Sequence, residues 1–158
     1  MKRTTTAMAM VLLFCLSAQA RPVRWWSPKD LCDKADLVVL ATVRAVEKTD
    51  EAGVIQLGNN PAYPVVMHKA KLTVNYAIKG ESPKQIEFRY SPLDNAKVGP
   101  IANGPGRISL EKGATYVFYL KRVAKEGQTF YVGVLEGEFD DQQAVVLVAP
   151  PAAEGGAK

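Results

Sequence analysis

Lys69-Ala70-Lys71-Leu72-Thr73-Val74-Asn75-Tyr76-Ala77-Ile78 is the stretch that decides the fold. Ala70, Leu72, Val74, Tyr76 and Ile78 fall on one side, and Lys69, Lys71, Thr73 and Asn75 fall on the other. Period-two alternation over this length predicts a half-buried β-strand, one face on a core and one in water. After the turn Lys79-Gly80-Glu81-Ser82-Pro83 the pattern returns: Ile86, Phe88 and Tyr90 oppose Gln85, Glu87 and Arg89.

Working outward, Leu37 to Glu47 is rich in Val, Leu and Ala with no breaker and reads as a strand preceding this pair. Thr115 to Val123 is apolar on both faces at Tyr116-Val117-Phe118-Tyr119-Leu120, which predicts the most covered strand. Thr129 to Leu135 pairs with it across the short polar connection Lys125-Glu126-Gly127-Gln128, as a hairpin does. Ala144 to Val148 adds a sixth, short strand. Before them all, Ser27 ahead of Pro28 fits an N-cap with proline in the first helical position, so a short helix is expected over 28–34. Five or six short strands with little helix predict a mainly β fold, a small barrel or sandwich, and a barrel removes exposed edges by closure. Two long connections remain, 49–64 and 91–107, rich in Gly and Pro; loops of that length are functional or mobile. The sequence from Pro150 has no core-forming content and reads as a disordered tail over 150–158.

The chain has 158 residues and a formal net charge of +4. Its first twenty residues combine a basic start (Lys2, Arg3), the apolar run Ala7 to Leu16 and the small-residue ending Ala18-Gln19-Ala20. That is the pattern of a secretory signal peptide over 1–20, cleaved after Ala20. The run is too short to span a bilayer, which takes roughly 20 apolar residues, and the mature chain carries no second candidate for a transmembrane segment. Taking twenty residues from 158 leaves 138, and losing Lys2 and Arg3 lowers +4 to +2. The expectation is one exported domain, 21–149, periplasmic or extracellular. A scattered +2 argues against nucleic acid, whose binders gather Lys and Arg on one face.

Three blocks carry a resemblance. Asp30 to Val43 (a short helix with a cysteine leading into an Asp-apolar strand), Ala70 to Gly80, and Leu110 to Leu120 with its turn Gly113 resemble the netrin-like, tissue-inhibitor-of-metalloproteinases superfamily. Together with Gly137-Glu138-Phe139 they also look like small secreted bacterial proteins of unassigned function. The resemblance implies a five-stranded barrel of the oligonucleotide/oligosaccharide-binding (OB) type with a flanking helix. The inhibitory chemistry does not carry over: it needs a cysteine at the mature N-terminus, where this sequence has Arg21.

Candidate chemistry is sparse. Trp25-Trp26 suits a sugar-stacking platform or a partner anchor, tryptophan being a frequent hot spot; otherwise one ring caps the barrel and the other covers the helix. Cys32, the sole cysteine left after signal removal, reads as an intermolecular disulfide, a reactive thiol, or a small apolar residue on the buried side of the helix. His68, the single histidine, reads as a surface or loop residue just ahead of a strand. One His and one Cys do not make a zinc site, and no Gly-x-Ser-x-Gly elbow is present. Gly99 to Gly106 lacks the Gly-Lys-Ser/Thr end of a phosphate loop. Glu136, Glu138, Asp140 and Asp141 form the densest acidic run, in no EF-hand frame. Two functions follow. The first is a non-catalytic interaction module whose loops contact a protein or glycan. The second is an extracytoplasmic enzyme or protease inhibitor built on the run Glu136 to Asp141. No cofactor is expected from either.

Overall fold

A computed structural model describes residues 24–56, 62–94, 96–98, 107–138 and 140–151. The expected signal peptide, the glycine-rich stretch 99–106 and tail residues 152–158 lie outside the described residues. One helix, α1 (Pro28–Lys34), precedes β1 (Leu37–Ile55), β2 (Tyr63–Lys79), β3 (Gln85–Tyr90), β4 (Thr115–Lys125), β5 (Gln128–Gly133), a 3-10 turn (Asp141–Ala144) and β6 (Val145–Ala149).

The sheet runs β1-β2-β3-β5-β4, and β4 pairs back onto β1, so five strands close into a barrel. Every pairing is antiparallel except β3 with β5, which meet in parallel at Phe88 and Tyr131. This is the strand order of the OB type, as expected, with β6 as an additional strand on β4. The interior is filled by Val39, Ala41, Val43, Ala70, Leu72, Phe88, Phe118 and Leu120, all buried. The Phe88 and Phe118 rings meet edge to face at 5.4 Å, a geometry that adds to their area burial.

The expected face of β2 holds only in part. Ala70 and Leu72 are buried, but Tyr76 is 67% and Ile78 53% exposed. Leu40 opposes Tyr76 while Ala41 opposes Val74, which leaves Asn75 as an extra residue; Val38 opposes Lys79 while Val39 opposes Ala77, which leaves Ile78 as another. A bulge shifts alternation by one residue and turns the following side chains over. Ala77 therefore packs on the core, and Tyr76 and Ile78 face out.

The expected loop 49–64 is mostly strand. β1 continues to Ile55 and β2 begins at Tyr63, leaving 56–62 as the connection. The polar Thr49-Asp50-Glu51 reads as a turn because a further irregularity falls there: Lys48 opposes His68 and Ala52 opposes Val66. The Thr49 hydroxyl donates to the Met67 carbonyl at 3.0 Å, holding the shift in place.

The helix follows its sequence signals. The Ser27 hydroxyl accepts from the Asp30 amide at 3.1 Å, and the Asp30 carboxylate accepts from the Ser27 amide at 3.3 Å, a reciprocal capping box. At the other end Lys79 Nζ donates to the Cys32 and Ala35 carbonyls at 2.7 and 2.6 Å. The helix buries Leu31 into a second cluster with Ala35, Val38, Val134, Leu135 and Ala144, against which Val117 and Tyr119 pack. Val134 and Leu135, expected to extend β5, instead leave the sheet to fill this cluster.

β5 and β6 lie end to end along one side of β4. Lys125 to Leu120 pair with Gln128 to Gly133, and Phe118 to Thr115 pair with Val145 to Ala149. β3 covers the far side of β5, but among the described residues no strand covers the far side of β6. Pro150 and Pro151 end β6 and lack the amide hydrogens to extend it.

Candidate functional site

The two tryptophans have different surroundings. Trp26 is half-buried against the second cluster, with the Arg24 guanidinium 3.8 Å from its ring and Lys34 Nζ at 4.9 Å. Trp25 is 82% exposed. The backbone on both sides is tied down by one side chain: Gln143 Oε1 accepts from the Trp26 amide at 3.0 Å, and Gln143 Nε2 donates to the Arg24 carbonyl at 2.9 Å. A held backbone with an open ring is a pre-ordered contact, which lowers the ordering cost of binding. Cys32 is half-buried on the same helix, packed against the second cluster.

Gln143 also leads directly into β6. Val146, Leu147 and Val148 are each about half exposed, an uncharged apolar run on an edge strand. A groove of about 390 Å³ lies beside this strand, lined by Val145, Leu147, Tyr116 and Gln142 with Arg107, Ile108, Ser109 and Glu111.

The acidic run does not act as a set. Glu136 and Glu138 are exposed, whereas Asp141 is buried and pairs with Arg107, Nη2 to Oδ2 at 2.9 Å. Arg107 also donates from Nε and Nη2 to the Ser91 carbonyl at 3.1 and 2.9 Å, and from Nη1 to the Glu138 carbonyl at 3.2 Å. Glu138 thus contributes its backbone to this knot. Burial pushes the Asp141 carboxyl up to about 7, and the Arg107 charge offsets this only in part. Its Oδ1 is buried without a hydrogen-bond partner. The result is a structural tie between the segment after 106 and the turn before β6. Among the described residues no three His, Cys, Asp or Glu side chains converge as a metal site.

His68 is the residue that sequence reasoning placed wrongly. It lies inside β2, paired with Lys48 of β1 on one side and Tyr90 of β3 on the other. It shares the interior face with Val66, Ala70 and Leu72, since side chains alternate. The alternation that starts at Ala70 extends backward through His68 to Val66, and that was the available signal. The rows across β1, β2 and β3 read Val43-Leu72-Ile86, then Val46-Ala70-Phe88, then Lys48-His68-Tyr90. The third row lines a cavity of about 410 Å³ together with Val46, Val66, Ile108 and Leu110. His68 and Tyr90 rings stand 5.4 Å apart.

Burial, then the Lys48 charge, lowers the His68 pKa, so the imidazole is neutral at pH 7. Burial raises Tyr90 to about 12. No helix among the described residues is long and apolar enough to cross a membrane. The sequence matches no protein-family model and no curated protein.

Proposed function

We propose that this protein is an exported interaction module that binds an extended segment of another protein along the outer edge of β6, with Trp25 as the anchor. The observation that carries the reading is the uncharged strand Val145–Ala149, paired on one side alone among the described residues. On such an edge every second residue presents an amide and a carbonyl outward, and an added strand satisfies them. Natural edges are blunted by charge, and this one has none between Val145 and Ala149. The groove between β6 and 107–111 gives alternate side chains of the bound segment an apolar seat on Leu147, Val145 and Tyr116. Trp25 stands at the start of the strand through the Gln143 tie, where a large rigid ring gives contact area at little entropy cost. The signal-peptide pattern and the resemblance to netrin-like scaffolds point the same way.

Photo-crosslinking residues placed at 25, at 147 and, as control, at exposed Tyr76 test this in the native extracytoplasmic fraction. The expected result is one continuous peptide captured from both 25 and 147 and absent from 76. A synthetic copy of that peptide then binds the purified protein and is lost in Trp25→Ala/Leu147→Lys. Equal capture at 76, or unchanged peptide binding by the double variant, overturns the reading.

A further inference from the structure

We infer that the end of the barrel lined by Lys48, His68 and Tyr90 is a binding site for a small amphipathic monocarboxylate, separate from the β6 edge. Three rows cross the barrel interior from β1 through β2 to β3, and two are wholly apolar. The third, Lys48-His68-Tyr90, places an ammonium, an imidazole and a phenol side by side on the interior face. Polar side chains in a barrel interior are costly unless they meet partners. His68 Nδ1 is buried and meets none.

The cavity above that row has the character of a ligand site. Its volume of about 410 Å³ is in the range of small-molecule pockets, its walls are Val46, Val66, Ile108 and Leu110, and its polar groups converge from three strands. The charges that face it are two. Asp94 is neutralised by Lys97, Nζ to Oδ2 at 3.3 Å, and spends its backbone on the turn that follows β3: its amide donates to the Pro64 carbonyl and its carbonyl accepts from Lys97 and Val98. Lys48 has no ion-pair partner among the described residues and is exposed at the rim. The net field of the site is therefore one positive charge at the mouth of an apolar cup.

That field selects one anionic head on an apolar body. A carboxylate at the mouth accepts from Lys48 Nζ, and the body lies on His68, Tyr90 and Ile108. A phosphate dianion or a free sugar fits less well, because the apolar walls leave its remaining oxygens without partners. The segment 107–111 divides this cavity from the groove at β6, with Ile108 and Ser109 lining both.

The test uses the untagged full chain, in which the His68 imidazole gives the single histidine signal and needs no assignment. Hexanoate and phenylacetate are titrated, with hexanol and benzyl alcohol as uncharged counterparts. The expected result is saturable movement of the His68 ring resonances by the acids, with the alcohols at least several-fold weaker. Lys48→Met weakens the acids by about tenfold, the loss of one charge-assisted hydrogen bond, and leaves the alcohols unchanged. Lys48 is exposed, so this variant folds; a matching thermal midpoint checks that. Ring resonances that do not move at millimolar acid, or acids bound equally by wild type and Lys48→Met, overturn the inference. Alcohols bound as tightly as the acids also overturn it.

Discussion

Arg107 and Asp141 meet at 2.9 Å with side chains only 4% and 3% exposed, joining the segment after residue 106 to the 3-10 turn that opens β6. The pair fixes one wall of the β6 groove relative to the other, since Arg107 lines that groove and Asp141 begins the turn into Val145. Breaking a buried pair from one side leaves the other charge uncompensated, which costs about 3–5 kcal/mol. Four contacts from Arg107, spread over Asp141, Ser91 and Glu138, explain why a guanidinium is tolerated there.

Asp141 makes stability pH-dependent in a stated direction. An unfolded aspartate titrates near 3.8, and in the fold burial raises this carboxyl to about 7. Between those values the folded state holds a proton the unfolded chain has lost, so this group's contribution falls as pH rises through the window. His68 acts with the opposite sign below 6.5, because burial lowers its pKa and protonation favours the unfolded chain. The difference between wild type and Asp141→Asn isolates the first effect. Urea midpoints at several pH values from 4 to 8 should show wild type losing ground to the variant as pH increases; parallel curves refute the assignment.

Gly80 and Gly127 give a paired test of the turns. Both hold positive φ, 79° and 77°. A Cβ at Gly80 would stand 2.8 Å from the Asp36 carbonyl oxygen, whereas one at Gly127 meets nothing within 4 Å. Gly127→Ala should cost about 1–2 kcal/mol, the left-handed backbone penalty alone. Gly80→Ala should cost clearly more, because backbone has to move as well. Equal denaturation midpoints for the two variants contradict the close approach at Asp36.

The six strands and the helix are readable from alternation and capping because those signals are local. Ser27-Pro28 and Asp30 mark the helix start unaided, and Gln85 to Tyr90 is bounded by its own turn residues. The bulges at Asn75 and Ile78 are not readable, since a single polar Asn75 on the outward face also fits regular alternation; the register is set by what β1 offers opposite. The extension of β1 past Thr49, and of β2 back to Tyr63, is hidden for the same reason. His68 is the costliest misreading. Its place on the interior face depends on β2 starting at Tyr63, and its partners Lys48 and Tyr90 are brought beside it only by cross-strand pairing. Trp25 and Trp26, adjacent and identical, are told apart by the second cluster, against which only Trp26 packs, and their backbone is tied by Gln143, over a hundred residues away.

The bulge at Asn75 predicts an inversion of tolerance along β2. Tyr76→Asp, on an exposed position, should change stability by no more than about 0.5 kcal/mol. Ala77→Asp, opposite buried Val39, should place a carboxylate against the core and unfold a large fraction of the protein. Regular alternation from Ala70 makes the contrary forecast, with Tyr76 the sensitive site. Circular dichroism melts of the two variants decide between them.

Lys79 ties α1 to the barrel through two carbonyls at the helix end, and the helix is too short to hold its form alone. Lys79→Met keeps the aliphatic stem and removes both charge-assisted hydrogen bonds, so about 1.5–3 kcal/mol should be lost locally. The amides of Leu31 and Ala35, which donate to Ser27 and Leu31, should then exchange faster with deuterium, while Val39 and Phe118 in the barrel stay protected. Because Trp26 packs on the same cluster as Leu31, loosening α1 should also release the Trp25 backbone. If the β6 edge binds its partner with Trp25 as anchor, Lys79→Met should weaken that binding without touching either contact surface. Unchanged exchange at Leu31 would show that the capping box and cluster burial hold the helix by themselves.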